Sequence, residues 1–235
     1  MTSAAGVSVP GPDGDTSFSS RLWAGIEDIY ARILVHPFVA GLTSGELDRE
    51  AFSFYVVQDA HYLREYARAL TICAARAPDE PAIKMFAEHA AGAIAVEREL
   101  HESFFVELGL TEAAVAATPM APTNLAYCSY LLSSAYGGSF AEALGAVLPC
   151  YWIYRMVGLE LLSRGSPDAL YARWIDTYGG EEFGTVVQAV LELTDRIASG
   201  LSDADRAAAA KRFTVTARYE WMFWDMGWRQ ETWPV

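Results

Sequence analysis

Residues 139–163 read SFAEALGAVLPCYWIYRMVGLELLS, and they indicate the class of fold to which this chain belongs. Their apolar positions recur with helical spacing, and Ser139 is a preferred residue type at a helix N-cap. Pro149 falls inside the predicted helix, where it removes a backbone donor and crowds the carbonyl four residues earlier. That carbonyl belongs to Gly145, whose missing side chain eases the crowding. The stretch therefore predicts a long helix that is opened beside the thiol of Cys150.

Helical periodicity continues on both sides of this stretch. Alternation of apolar and polar residues never persists, so no strand is predicted. The expected fold class is all-α, a single-domain helical bundle over residues 17–235, preceded by a flexible tail of Gly- and Pro-containing sequence over 1–16. The predicted helices span 18–35, 47–77, 80–109, 123–136, 139–163, 167–178, 181–199 and 202–229.

The composition of the 235 residues excludes several classes of protein. Hydrophobic residues make up 52% of the chain, with 7 Trp, 12 Tyr and 11 Phe, which indicates an aromatic-lined interior. A net charge of −13 without a basic stripe argues against nucleic-acid binding. No apolar run approaches the roughly 20 residues of a membrane span, and the first residues do not resemble a signal peptide. Three widely spaced cysteines fit a reducing compartment, so a cytoplasmic location is expected.

Ionisable groups occur on otherwise apolar helix faces. Asp59 shares a face with Phe52, Tyr55, Val56, Tyr62, Leu63 and Tyr66. Glu220 lies between Phe213, Ala217, Phe223 and Trp224 on the last helix, and Cys150 aligns with Val147 and Tyr154. Tyr127 adds a phenol from a fourth helix. A buried carboxylate is costly unless it is paired, hydrogen-bonded or neutral. We therefore interpret these groups as one constellation around a small molecule.

Each of these residues also has a structural interpretation. Asp59 fits a structural hydrogen-bond acceptor, Glu220 an interhelical ion pair, and Cys150 a small buried apolar residue. Tyrosine stripes are common in helical cores. Glu97 and His101, four residues apart, could bind a metal, but a diiron bundle needs matching sets on other helices and no second pair is present. No metal site is predicted.

Several segments resemble the TenA family, the thiaminase II or aminopyrimidine aminohydrolase group. They occur in family order after residue 16, and the cysteine indicates the cysteine-bearing branch. The matching segments are HPFV at 36–39, YVVQD at 55–59, LPCYWIY at 148–154, WIDTYGG at 174–180 and YEW at 219–221.

The resemblance implies a heme-oxygenase-like bundle that binds no heme, needs no cofactor and assembles as a homotetramer. It implies thiamin salvage by hydrolysis of aminomethylpyrimidine, of thiamin, or of both, to 4-amino-5-hydroxymethyl-2-methylpyrimidine. It assigns Cys150 as the nucleophile, Glu220 as the acid/base and Asp59 as the second carboxylate, which holds the amino-pyrimidine edge. The residues that bind the ring by hydrogen bonds and stacking are Tyr62, Tyr127, Tyr154 and Tyr178, with Phe223 in the wall.

Three alternatives stay open from the sequence. The enzyme could act on intact thiamin or another aminopyrimidine. The bundle could be an oxidase or oxygenase, either diiron or cofactor-free. The chain could also bind pyrimidines without catalysis, in which case loss of Cys150 would be tolerated.

Overall fold

The structure describes residues 16–235, except for the side chains of residues 96–102. All regular secondary structure in the described residues is helical. In this computed structural model, the expectation of an all-α single domain is confirmed. The helices of these residues are α1 Phe18–Ala24, α2 Glu27–Leu34, α3 Pro37–Ser44, α4 Arg49–Arg76, α5 Glu80–Leu108, α6 Glu112–Ala117, α7 Pro122–Gly137, α8 Phe140–Leu162, α9 Ala169–Gly179, α10 Glu181–Ser199 and α11 Asp203–Arg229.

Side-chain caps explain where the long helices begin. Ser139 accepts from the amide of Glu142, whose carboxylate accepts from the amide of Ser139, so α8 starts with a capping box. Ser202 caps α11 by accepting from the amide of Asp205. Free backbone amides at a helix start need such acceptors. The predicted starts of these two helices are therefore confirmed within one residue.

The prediction of one helix over 18–35 is wrong, because the helix is interrupted between α1 and α2. Gly25 ends α1, and Ile26 leaves helical geometry with φ −129°. The side chain of Ile26 is completely buried. The free energy gained by burying this side chain in the core exceeds the free energy gained by continuing one helix. Helical periodicity in the sequence does not indicate such an interruption.

Two short helices were not predicted. Pro37 ends the preceding helical run, as expected, but it also occupies the first turn of α3, where its missing amide costs nothing. The Nδ1 atom of His36 caps α3 by accepting from the amide of Phe38 at 3.2 Å. Helix α6 lies between the predicted helices at 80–109 and 123–136, and Thr111 caps it.

Helix α8 forms the centre of the bundle and packs against α11, α9, α7 and α10. It remains one helix across Pro149. Glycines permit its two closest crossings. A Cβ on Gly145 would lie 2.5 Å from the carbonyl oxygen of Ala209 on α11, and a Cβ on Gly158 would lie 2.6 Å from the amide nitrogen of Gly179 on α9. The backbones of these helices therefore touch directly.

We expect Gly158→Ala to lower the free energy of unfolding by about 2–3 kcal/mol, the scale of overpacking in a core. The added methyl group would meet backbone atoms of α9, which cannot rotate away. Urea unfolding followed by circular dichroism measures the change. The control is Gly92→Ala on α5, where a Cβ meets nothing within 4 Å; it should stabilise by about 0.5–1 kcal/mol. Equal midpoints for Gly158→Ala and the wild type would contradict the close packing.

None of the helices in the described residues is long and apolar enough to cross a membrane. The expected tail at 1–16 lies outside those residues except for Thr16.

Candidate active site

Five helices bring the predicted site residues into one part of the interior. All of them are buried except Cys150, which is partly exposed. Helix α4 contributes Asp59 and Tyr62, α7 contributes Tyr127, α8 contributes Cys150 and Tyr154, α9 contributes Tyr178, and α11 contributes Glu220 and Phe223.

Glu220 and Tyr127 form the central polar pair. The Tyr127 hydroxyl donates to Oε1 of Glu220 at 2.5 Å, and both side chains are almost completely inaccessible to solvent. The hydroxyl gives Oε1 of this carboxyl group one fixed hydrogen-bond partner. The sequence left open an interhelical ion pair for Glu220. The structure shows a hydrogen bond from a neutral phenol at Oε1 instead.

Burial raises the pKa of Glu220 from its ordinary value of 4.5 to about 8. The hydrogen bond from Tyr127 lowers this pKa, and the charge of Asp59 raises it. At neutral pH the carboxyl group therefore carries a proton. A protonated carboxyl group with a pKa near the working pH is suited to general acid catalysis.

Cys150 lies among tyrosines on the same side of the bundle. Burial raises the pKa of each neighbouring phenol, and negative charge on the sulfur of Cys150 raises it further; these phenols belong to Tyr62, Tyr66, Tyr127 and Tyr151. They therefore remain protonated. The thiol is thus an electrostatic neighbour of four phenol groups, and one of these, Tyr127, is the hydrogen-bond partner of Glu220.

The other two cysteines have a different environment. Burial raises the pKa of both Cys73 and Cys128 to about 12, and each side chain is inaccessible. The sulfur of Cys128 donates to Oδ1 of Asn124 at 3.3 Å. Cys73 and Cys128 are structural thiols, and only Cys150 combines partial exposure with neighbouring acid groups.

Asp59 is a buried neighbour of Glu220, at 6% exposure. Its charge raises the pKa of Glu220 and also that of Tyr154. Burial is the largest cause of the raised pKa of Tyr154, followed by Tyr55. Asp59, Glu220 and Tyr154 are thus electrostatically coupled neighbours, as the shared helix faces predicted.

Aromatic rings enclose these groups. The Tyr62 ring lies 5.0 Å from that of Tyr127 and 5.4 Å from that of Phe223, and the rings of Tyr154 and Tyr178 are 4.9 Å apart. The hydroxyl of Tyr62 is buried; it influences the pKa of Tyr127, but their geometry falls short of a hydrogen bond. A buried hydroxyl without a partner is costly, so Tyr62 is available to a ligand.

Two further tyrosines on the Asp59 face support the site, and the sequence analysis assigned them no role. The Tyr55 hydroxyl lies 3.1 Å from that of Tyr154, and Tyr66 donates to the carbonyl of Val147 at 2.9 Å. Their spacing of four and seven residues from Asp59 was the available signal. Their partners on α8 could not be identified from spacing alone.

The metal alternative involves Glu97 and His101. The side chains of both residues lie outside those that the structure describes. Within the described residues, no group of three His, Cys, Asp or Glu side chains could hold a metal ion.

The architecture and the site together define an all-α bundle whose aromatic interior gathers a thiol and two carboxyl groups from separate helices. The family model described as TENA/THI-4/PQQC matches residues 23–230. The chain belongs to this family.

Relatives and solved structures agree with this membership. The chain is 35% identical to the aminopyrimidine aminohydrolase of Bacillus subtilis over 216 residues, 92% of each chain. It is 39% identical to the thiamine biosynthesis multifunctional protein ThiED of Corynebacterium efficiens. That match covers 91% of this chain but only 28% of the longer protein.

Among solved structures, a TenA homologue from P. horikoshii OT3 superposes with a TM-score of 0.85 at 30% identity, over 91% of this chain and 99% of the other. A Shewanella denitrificans domain with a heme oxygenase-like fold superposes at 0.71 with 14% identity, over 90% and 92%. This second similarity concerns the fold alone, and the expected heme-oxygenase-like architecture is confirmed.

Proposed function

We propose that this protein is an aminopyrimidine aminohydrolase of the cysteine-bearing branch of the TenA family. It converts aminomethylpyrimidine and water into 4-amino-5-hydroxymethyl-2-methylpyrimidine and ammonia, with thiamin as a second possible substrate. The observation that carries the proposal is the buried Tyr127–Glu220 pair beside Cys150, with the pKa of Glu220 raised to about 8. Relatives named aminopyrimidine aminohydrolase at 30–35% identity support the same reaction.

The first step activates the ring. The Cys150 thiolate adds to C6 of the pyrimidine while Glu220 gives its proton to N1, so a C–S bond forms and the aromatic ring becomes an electron-rich enamine. Direct displacement at the methylene carbon is slow because an amine is a poor leaving group. Covalent addition divides that difficult step into easier ones. Stacking of the ring between tyrosines holds C6 near the sulfur.

The second step expels the amine. Electrons move from the 4-amino nitrogen through the ring and break the exocyclic C–N bond of the protonated aminomethyl group, so that ammonia leaves and a methylene group remains at C5. Positive charge then develops on the 4-amino edge, where the Asp59 carboxylate stabilises it. Water adds to the methylene carbon and gives one proton to the released ammonia, the thiolate leaves C6, and the N1 proton returns to Glu220. The enzyme is thereby restored.

Assembly and location belong to the same proposal. We place the enzyme in the cytoplasm as a homotetramer that binds neither nucleic acid nor membrane. The three thiols are compatible with a reducing compartment. Sedimentation equilibrium of the purified protein measures the oligomeric state, and a mass of one or two chains would contradict the tetramer.

A product assay tests the function directly. Purified protein is incubated separately with aminomethylpyrimidine and with thiamin, and hydroxymethylpyrimidine and ammonia are quantified by chromatography. We expect equal amounts of both products from aminomethylpyrimidine. Oxygen consumption coupled to turnover would favour an oxidase instead. Tight binding of both pyrimidines without product would favour a binding protein.

Asp59→Asn should lower kcat/KM about 10²-fold, since the neutral amide no longer stabilises charge on the 4-amino edge. It should also lower the pKa of Glu220, because the charge of Asp59 raises it. The alkaline limb of the pH–rate profile therefore moves to lower pH. Asp176→Asn, at an exposed position on α9, is the control and should match the wild type. An alkaline limb that stays in place in Asp59→Asn would contradict this coupling.

A further inference from the structure

Arg155 is a buried cation immediately after Tyr154 on α8. It is 6% exposed, and its Nη1 donates to the carbonyl of Gly180 at 2.7 Å and to that of Tyr178 at 3.3 Å. A buried charge is costly unless it is hydrogen-bonded or paired. Glu181 is the nearby charge that favours the guanidinium form. The chain thus maintains a buried positive group at the end of α9.

The two carbonyl groups that accept from Arg155 lie at the C-terminal end of α9. Tyr178 belongs to the last turn of α9, and Gly180 is both its C-cap and the N-cap of α10. The last carbonyls of a helix lack partners within the helix and carry partial negative charge. Arg155 supplies both a donor and an opposite charge there, so it ties the end of α9 to the part of α8 that carries Cys150 and Tyr154.

The surrounding chain leaves room for this group. A Cβ on Gly184 of α10 would lie 2.7 Å from Nη2 and 2.9 Å from Cζ of Arg155. Only a glycine at 184 admits the guanidinium in its present position. Nε of Arg155 has no hydrogen-bond partner among the described residues. The position of the guanidinium therefore depends on the two carbonyls and on the space at Gly184.

The contact reaches the site through the ring of Tyr178. That ring lies 4.9 Å from Tyr154, 4.7 Å from Trp174 and 5.5 Å from Phe183. We propose that Arg155 is a positioning residue that holds the ring of Tyr178 against that of Tyr154, so that the two rings together form one wall of the site for the flat pyrimidine ring. The proposal rests on the function proposed above. In the proposed reaction Arg155 contacts no reacting atom, and we expect it to affect substrate binding.

Arg155→Met tests the proposal. The thioether keeps much of the side-chain volume but leaves both carbonyls without their donor. We expect KM for aminomethylpyrimidine to rise at least 10-fold, with kcat changed less than 3-fold and the alkaline limb near pH 8 unchanged. Arg164→Met is the matched control, because Arg164 is half exposed at the end of α8 and pairs with Glu160; it should behave as the wild type.

A double-mutant cycle separates positioning from a general structural effect. If Arg155 acts through Tyr178, Arg155→Met should raise KM at least 10-fold in the wild type but less than 2-fold in a Tyr178→Ala background. An equal rise in both backgrounds would overturn the proposal. So would a loss in kcat with KM unchanged.

Gly184→Ala provides the same test with the arginine retained, and it carries the test if Arg155→Met fails to fold. Its Cβ would displace the guanidinium, so we expect the same rise in KM and the same loss of effect in Tyr178→Ala. A wild-type KM in folded Gly184→Ala would overturn the proposal.

Binding measurements distinguish failure of this proposal from failure of the proposed function. Calorimetric titration of each variant with hydroxymethylpyrimidine should give a Kd that rises at least 10-fold in Arg155→Met. If the wild type binds this product but turns nothing over, the Kd values alone decide the role of Arg155. If the wild type neither binds nor reacts, both proposals fail together.

Discussion

Cys150→Ser is expected to lower turnover of aminomethylpyrimidine to below about one-thousandth of the wild-type rate, the scale seen when a covalent nucleophile is removed. A serine hydroxyl is far less acidic than a thiol, so it supplies almost no anion to add to C6. Serine is close in size to cysteine, and position 150 is partly exposed, so folding should be preserved. Steady-state product formation at saturating substrate measures the loss.

Two controls accompany this variant. Calorimetric titration with hydroxymethylpyrimidine should show that Cys150→Ser still binds the ring. Cys128→Ser should keep wild-type activity, because its hydroxyl can replace the sulfur that donates to Asn124. Turnover above one-tenth of the wild-type rate in Cys150→Ser would remove the covalent mechanism.

Glu220→Gln is expected to lower kcat by about 10²-fold or more, the scale for loss of a general acid. The amide can accept the hydrogen bond from Tyr127 but cannot give a proton to N1. In the wild type, activity should fall as the pH rises through about 8, because Glu220 then loses its proton. That limb should be absent from the residual activity of Glu220→Gln. A limb unchanged in this variant would refute the assignment.

The same substitution should change how stability depends on pH. The folded protein keeps the Glu220 proton up to about pH 8, whereas an unfolded glutamate releases it near 4.5. The contribution of the protonated Glu220 to the free energy of unfolding is therefore complete below pH 4.5 and is lost as the pH rises to about 8. The loss is a few kcal/mol at about 1.4 kcal/mol per pH unit.

Glu220→Gln lacks this titration, so its free energy of unfolding should fall less over the same interval. Urea titrations at pH 5 and pH 8 compare the two proteins. Glu192→Gln, at an exposed position on α10, should retain the wild-type pH dependence. Equal pH dependence in Glu220→Gln and the wild type would contradict the raised pKa.

The long helices could be predicted from sequence because their period and caps agree. The period and Ser139 together located α8, and Ser202 located the start of α11. The break at Gly25 could not be predicted, since it depends on burial of Ile26 against other helices. Pro37 was interpreted only as the end of a helix, although the same residue type also favours the first turn of the next one.

The site could be predicted only as far as helix faces extend. Spacing within α4 placed Asp59 and Tyr62 together, and the family resemblance added roles for Cys150 and Glu220. The hydrogen bond between Tyr127 and Glu220 depends on how α7 crosses α11, which periodicity does not report. The partners of Tyr55 and Tyr66 on α8 depend on packing in the same way.

The burial of Cys73 and Cys128 has a chemical consequence. With a pKa of about 12, each sulfur is almost entirely uncharged at physiological pH, and electrophiles attack the anionic form. An alkylating reagent in the intact protein therefore finds a single accessible sulfur, the one at position 150. One equivalent of label would then count the proposed catalytic centres directly, without any substitution in the chain.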